Sequence, residues 1–276
     1  MSATGLVFVH LSDIHFAKPK LGTAYDLDAG LRDALRGDAA DHRPKVGRPD
    51  AILISGDIAF SGTKEQYDVA KKWLDDELCP AVGVDGGTIR CIPGNHDVNQ
   101  TLIKSKPSYA KLRSDFRTCD PDQIDAQLLY RLAEPALFYE PIKAYSDFAF
   151  ECGCETSDER PTWTSNFELN DGTTLRVCGL NSALISDDQD HADRGKMIVG
   201  SFQCEIPHVD PQVTNLVMCH HPPDWLRDGD VFEEKLSPRC SIQLLGHKHK
   251  QKMTPLGDSL LRIAAGAVQP SRSESG

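Results

Sequence analysis

The sequence predicts an α/β fold whose first half is a parallel sheet and whose second half is richer in hairpins. Three observations carry that expectation. Short β-branched runs alternate with amphipathic stretches between residues 6 and 92, turn signatures of Asn, Asp and Gly recur after residue 160, and polar donor groups sit where the apolar runs end. The 276 residues suit one large domain, and a 39% apolar content supplies enough side chains for a continuous core.

Residues 6–11 open as a strand, a helix follows over about 28–40, and residues 51–55 return as a second strand, which together make a βαβ unit. A second helix over 64–78 carries Tyr67, Ala70, Trp73, Leu74 and Leu78 at helical spacing. It leads through Pro80 and Gly86-Gly87 to a strand at 88–92, so three strands run parallel. Residues 98–162 are polar and weakly helical (109–116, 123–137, 141–148) and read as an insertion capping the sheet. Residues 166–169 and 174–180, joined through Asn170-Asp171-Gly172, have a hairpin signature and begin a second, more antiparallel sheet. Residues 216–219 and 242–245 read as buried strands, and 252–263 as a last hairpin around Leu256-Gly257-Asp258. The expected domain is 1–270. Residues 271–276 have linker composition, either an ordinary terminus or the start of a connection in a larger protein.

Charge and cysteine usage narrow the function classes. With 41 acidic against 30 basic residues the net charge is −11, which counts against a broad nucleic-acid footprint. No run approaches the ~18 apolar residues of a membrane span, and neither a span nor a cleavable signal is expected. The nine cysteines lack the density of a disulfide scaffold and predict reduced thiols in the cytoplasm. Cys91, Cys178 and Cys219 fall in β-type runs as small core residues, and the Cys152-x-Cys154 pair has no second pair at zinc spacing.

Five clusters mark the ends of expected strands: Asp13-Ile14-His15, Gly56-Asp57, Gly94-Asn95-His96-Asp97, His220-His221-Pro222-Pro223 and Gly246-His247-Lys248-His249. Strand ends are where α/β proteins bind ligands, and polar residues there add nothing to a core. Carboxylate oxygen, amide oxygen and neutral imidazole suit hard or borderline divalent cations. Extended geometry would turn Asp13 with His15, and His247 with His249, to the same side. Asp57 is the natural bridge between two cations.

In this order, from Asp13 to His249, the clusters resemble the calcineurin-like metallophosphoesterase superfamily. The resemblance implies a metallophosphoesterase-type sandwich of two mixed β-sheets flanked by helices. It also implies a first metal on Asp13, His15 and His249, a second on Asn95, His220 and His247, and Asp57 between them. His96 would contact the phosphate or protonate the leaving oxygen, with Asp97 orienting it. Residues 91–98, 179–182 and 220–226 further resemble the cyclic-nucleotide-phosphodiesterase-like branch, and the metallophosphoesterase domains fused at the N-terminus of bacterial multidomain defence ATPases. Protein phosphatases of the superfamily carry dedicated arginines near their metals. No arginine adjoins these clusters, which favours diesters.

The expected function is dinuclear-metal-dependent hydrolysis of phosphodiester bonds by a metal-bridging hydroxide, the substrate being a cyclic nucleotide or nucleic acid. Two divalent transition-metal ions are the expected cofactors, manganese first, with iron, zinc or nickel suiting the same donors. One alternative is an N-terminal DNA nuclease effector domain of a multidomain anti-phage defence protein, with a C-terminal sensor or ATPase domain as its fused partner. Another is a catalytically silent binding scaffold. Oligomeric state has no signal in the sequence. Trp225 either stacks on a base or packs its loop, and Lys248 and Lys250 are either solvated or hold a distal phosphate. Asp187, Asp188, Asp190, His191 and Asp193 read as a solvated loop rather than a metal run, and Asn181 and Ser182 as neighbours of the site.

Overall fold

Three strands, β1 (Phe8–Leu11), β2 (Ala51–Ile54) and β3 (Ile89–Cys91), pair in parallel in the order β1-β2-β3. The computed structural model describes residues 5–17, 26, 28–131, 133–157, 160–187, 190, 194–206 and 210–269; the expected tail and Asp188, His191 and Asp193 lie outside the described residues. All four residues of β2 are buried, as an Ala-Ile-Leu-Ile run must be when both faces of a parallel sheet are covered. The β1–β2 crossover, α1 (Ala29–Val46), runs past its expected end and through Pro44. A proline so near the terminus removes one hydrogen bond, and Gly47, at φ 97°, closes the helix by donating its N–H to Arg43 O.

The second crossover starts at α2 (Lys64–Trp73), where the Gln66 side chain reaches back to accept from the amides of Ser61 and Thr63. It passes through a π-helical turn at Leu74–Leu78 and ends in α3 (Cys79–Val82). The helix expected over 64–78 thus widens in its last turn, which keeps both Leu74 and Leu78 fully buried.

Within 98–162 lie α4 (Gln100–Ser105), α5 (Pro107–Thr118), α6 (Ile124–Arg131), α7 (Ala136–Tyr139) and α8 (Lys143–Glu151). Leu112, Phe116, Ile124, Leu128 and Phe138 form a separate apolar cluster with Leu184, Ile185 and Ile198. By contrast, α8 delivers Tyr145, Phe148 and Ala149 to the main core beside Cys152 and Cys154. The Tyr145 hydroxyl donates to Cys91 O at 3.0 Å and fastens this helix to the end of β3, and the Trp163 indole N–H donates to the same oxygen at 2.8 Å.

The second sheet comprises β4 (Trp163–Glu168), β5 (Thr174–Gly179), β6 (Val213–Cys219), β7 (Ile242–Leu245), β8 (Lys252–Leu256) and β9 (Leu260–Ala264), in the order β4-β5-β6-β7-β9-β8. Antiparallel pairing is confined to the two expected hairpins at its edges, and the interior pairs are parallel. The reason is the crossovers: β6 reaches β7 through α9 (Gly229–Leu236), whose Gly229, Phe232 and Leu236 are buried. Alternation then divides the sheet. Leu175, Val177, Leu216 and Met218 face the three-stranded sheet, and Cys178, Val217 and Cys219 face the apolar layer containing α9. All nine cysteines are buried free thiols. Among the described residues no helix is long and apolar enough to cross a membrane.

Two phenylalanines of α8 test its place in the core. Phe148 is buried, with its ring 5.4 Å from that of Tyr67, whereas Phe150 is 64% exposed. Phe148→Ala is expected to lower unfolding stability by about 3 kcal/mol or more, and Phe150→Ala by less than about 0.5 kcal/mol. Urea denaturation of both variants checks this, and equal losses would contradict it.

Candidate metal centre

The expected donor clusters leave the carboxyl ends of β1, β2, β3, β6 and β7 and meet at one end of the two sheets. Their convergence does not come from extended alternation. Asp13, His15, Asp57, His247 and His249 all adopt left-handed backbone, with φ between 53° and 69°, and are the non-glycine residues with positive φ among those described. For an L-residue that conformation costs about 1–2 kcal/mol, and such strain collects where surrounding structure over-determines it for function. Here the over-determination is visible. Asp13 N donates to Gly56 O, Ile14 and His15 N to Asp57 O, and Phe16 N to Ile58 O, all within 3.1 Å. Gly94 passes so close to the Asp57 turn that a Cβ there would lie 2.6 Å from Asp57 N.

Four groups of donors each bring their ligating atoms within 4.8 Å of one another: Asp13, His15 and His249; His15, Asp57 and His96; Asp13, Asp57 and His220; and His220, His221 and His247. Asp13 Oδ1 lies 3.2 Å from His249 Nε2 and 4.0 Å from His15 Nε2. Asp57 Oδ2 is 3.4 Å from His220 Nε2. Asn95 Oδ1 stands 3.2 Å from His220 Nε2 and 3.1 Å from His247 Nδ1. All seven residues expected as ligands therefore lie in one connected constellation.

Second partners aim the rings. His220 Nδ1 is 2.7 Å from Ser55 O, which leaves Nε2 toward Asp57 and Asn95. His96 Nδ1 is 2.8 Å from Phe60 O, and its backbone N–H donates to Asp57 Oδ1. The expectation that Asp97 orients His96 is corrected by this geometry. The Asp97 carboxylate accepts from the amides of Ile58, Ala59 and Gly94 and from the Tyr67 hydroxyl, so it clasps loops while the Phe60 carbonyl holds the ring.

His221 was not singled out as a ligand, yet it joins His220 and His247, with Nδ1 2.8 Å from Ser182 Oγ. The doublet His220-His221 was its only sequence signal. Ser182 thus adjoins the site, whereas Asn181 is spent on its own loop, bonding Ala183 N and Gln203. Lys248 is held by the Asp224 carboxylate. The solvated loop expected of the acidic run does not hold at Asp190, which is buried and pairs with Arg117.

Electrostatics and chemistry fit divalent cations. Burial pushes His15 down to about 4, only partly offset by Asp57, so its imidazole is neutral and able to ligate. Burial also opposes charge on His220 and Asp57, but their mutual attraction prevails, holding His220 up at about 9 and Asp57 well below the carboxylate range. His15 Nδ1 is buried without a hydrogen-bond partner, and Asp13 Oδ1 has the His249 imidazole as its near neighbour. Such buried groups, among oxygen and imidazole donors and no thiol, match the coordination needs of such ions.

The left-handed ligands yield a test that separates backbone from side chain. His249→Gly and His249→Ala remove the same imidazole and are expected to reduce metal content equally. In chelator, however, the glycine variant should be more stable than the alanine variant by about 1 kcal/mol, because only alanine retains the strain. Metal analysis and denaturant unfolding read the two effects, and equal or reversed stabilities would contradict the strain.

The calcineurin-like phosphoesterase family model matches residues 6–251. A glycerophosphodiester phosphodiesterase, GpdQ, of Enterobacter lignolyticus is 32% identical over 113 residues, 40% of this chain and 36% of that protein. A protein of Synechococcus sp. named as a probable cyclic nucleotide phosphodiesterase is 28% identical over 105 residues, 37% of this chain and 35% of its own. The chain thus spans about a third of the length of these curated relatives. Among solved structures, a dimetal phosphatase from Danio rerio aligns with 95% of this chain and 88% of its own at 15% identity, with a TM-score of 0.48. With the family match running from β1 past the last of the donor clusters, the chain belongs to the calcineurin-like phosphoesterase family.

Proposed function

We propose that this protein hydrolyses phosphodiester bonds at a dinuclear centre. Asp13, His15, Asp57 and His249 hold one divalent cation, and Asp57, Asn95, His220 and His247 hold the other. The observation that carries this reading is the position of Asp57, whose carboxylate groups with His15 on one side and with His220 on the other. Manganese is the first choice for both positions, since the donors are oxygen and imidazole. Such ions, when bound, withdraw charge from phosphate oxygens and make a water nucleophile available near neutral pH.

The chain's own groups supply the rest. With Nδ1 on the Phe60 carbonyl, His96 presents Nε2 to the departing oxygen, to which it delivers a proton. The half-buried setting of His96 gives it access to substrate. Asp97 keeps the turns bearing Asp57 and Asn95 in register through its amide contacts. Diester specificity is supported by charge: a monoester carries more negative charge, and Lys248 beside the site is already paired with Asp224. The Enterobacter relative is a glycerophosphodiester phosphodiesterase and the Synechococcus one a probable cyclic nucleotide phosphodiesterase, which supports a diester substrate. Nine buried free thiols support a reducing, cytoplasmic setting.

A metal-reconstituted panel tests the reading. Wild type with manganese should cleave bis(p-nitrophenyl) phosphate faster than p-nitrophenyl phosphate, lose activity in chelator, and recover poorly with magnesium, which disfavours imidazole-rich sites. Asp57→Asn should fold but bind fewer metals, and two tightly held ions with normal turnover would refute the bridging role. Cyclic nucleotides and DNA in the same panel identify the diester class.

The proton role of His96 has its own signature. His96→Ala is expected to lower kcat about 10²- to 10⁴-fold for an alkoxide leaving group, with metal content intact. The loss should be smaller for p-nitrophenolate, which departs without a proton. Equal losses on both substrates would assign His96 to phosphate positioning instead.

A further inference from the structure

Phe60 ends the Gly-Asp-Ile-Ala-Phe segment that follows β2, three residues after Asp57. Its backbone is pinned on every side. Its N–H donates to Phe16 O at 3.1 Å, its carbonyl is 2.8 Å from His96 Nδ1, and the adjacent Ala59 and Ser61 amides donate to Asp97 and Gln66. Yet the ring so carefully placed is 53% exposed. Its centroid lies 5.4 Å from that of His96, tilted by 40°, and 6.3 Å from that of His15. A phenyl ring in water contributes little to the core, and this one stands fixed beside the group assigned to the leaving oxygen.

Trp225 lies on the opposite side of the constellation and is differently used. Its ring meets His247 edge-on at 4.1 Å and carries the Arg194 guanidinium 5.8 Å from its centroid. It buttresses a ligand, and Arg194 already stands over its ring. Phe60 therefore offers the better stacking surface.

We propose that Phe60 is a specificity-determining residue, a stacking platform for a nucleobase carried by the ester group on the His96 side of the substrate. This inference rests on the diesterase reading and deepens it. Stacking tolerates any base because each has a π-face. The rigid backbone means that the ring is already in place before substrate arrives.

A pair of five-membered cyclic diesters reads the effect, because adenosine 2′,3′-cyclic phosphate and glycerol 1,2-cyclic phosphate share the reacting ring and differ in the furanose and base that it carries. For wild type, KM should be lower for the adenosine diester. Phe60→Ala should raise KM for the adenosine diester about 10-fold relative to KM for the glycerol diester, any change that reaches His96 through Phe60 being common to the two substrates. Phe60→Tyr should restore the adenosine KM. Metal content should not change in either variant, since the Phe60 carbonyl survives both substitutions.

Equal KM changes on the two diesters, no change on the adenosine diester, or loss of metal in Phe60→Ala would overturn the proposal, the last making the ring a cover for the imidazoles. So would a wild type that cleaves bis(p-nitrophenyl) phosphate but not the adenosine diester, and the diesterase reading would stand. A wild type inactive on all three would overturn both.

Discussion

Two carboxylates buried beyond the reach of water, those of Asp13 and Asp57, are the constraint around which the rest of the molecule is arranged. Removing a carboxylate from water is costly unless positive charge or donors replace the lost hydration. Here the partners are imidazoles, and one of them, His220, is driven to hold a proton by Asp57. The left-handed turns follow from the same need. Five residues accept strained backbone because it directs short side chains toward a centre that their strands alone would miss.

This centre is also the seam of the fold. Asp13, His15, Asp57 and Asn95 come from the three-stranded sheet, and His220, His247 and His249 from the six-stranded one. Polar contacts cross at this end: His220 Nδ1 to Ser55 O, His247 N–H to Asp13 Oδ2, and the amides of Val268 and Gln269 to Ser12 O and Asp13 O. Between the sheets, the main apolar core fixes their separation below the site. Ligand geometry is thereby set by the packing of two sheets rather than by any one loop, and a displacement of either sheet would open the donor groups.

Much of this was legible in the sequence, for identifiable reasons. Ile242–Leu245 was read to the residue because a buried parallel strand is a continuous apolar run with sharp ends. Both edge hairpins were legible because Asn-Asp-Gly and Leu-Gly-Asp mark turns. The donors were legible because chemistry restricts them to Asp, Asn and His at strand ends. What escaped was tertiary. The parallel pairing of β6 with β7, and α9 itself, depend on a crossover whose short apolar face carries only Gly229, Phe232 and Leu236. The core role of α8 was hidden in a polar segment, since Tyr145 and Cys152 announce burial only once Cys91 is beside them. His221 was masked by its neighbour, and the convergence of Asp13 with His15 was reached by the wrong geometry, because φ cannot be read from residue type.

Asp97 shows how one short motif divides its labour. In Gly94-Asn95-His96-Asp97 the amide oxygen joins a donor group and the imidazole stands at the mouth, but the carboxylate turns inward. Burial first, and then the nearby Asp57, push it up to about 6, while the amides of Ala59 and Gly94 and the Tyr67 hydroxyl pull the other way by donating to the charged form. Its backbone contacts reach Ile58 and Ala59 after Asp57, and Gly94 before Asn95. One side chain therefore sets the spacing between the turn that carries Asp57 and the turn that carries Asn95 and His96. The Phe60 carbonyl, anchored next to the clasped Ala59, transmits the same restraint to the His96 ring.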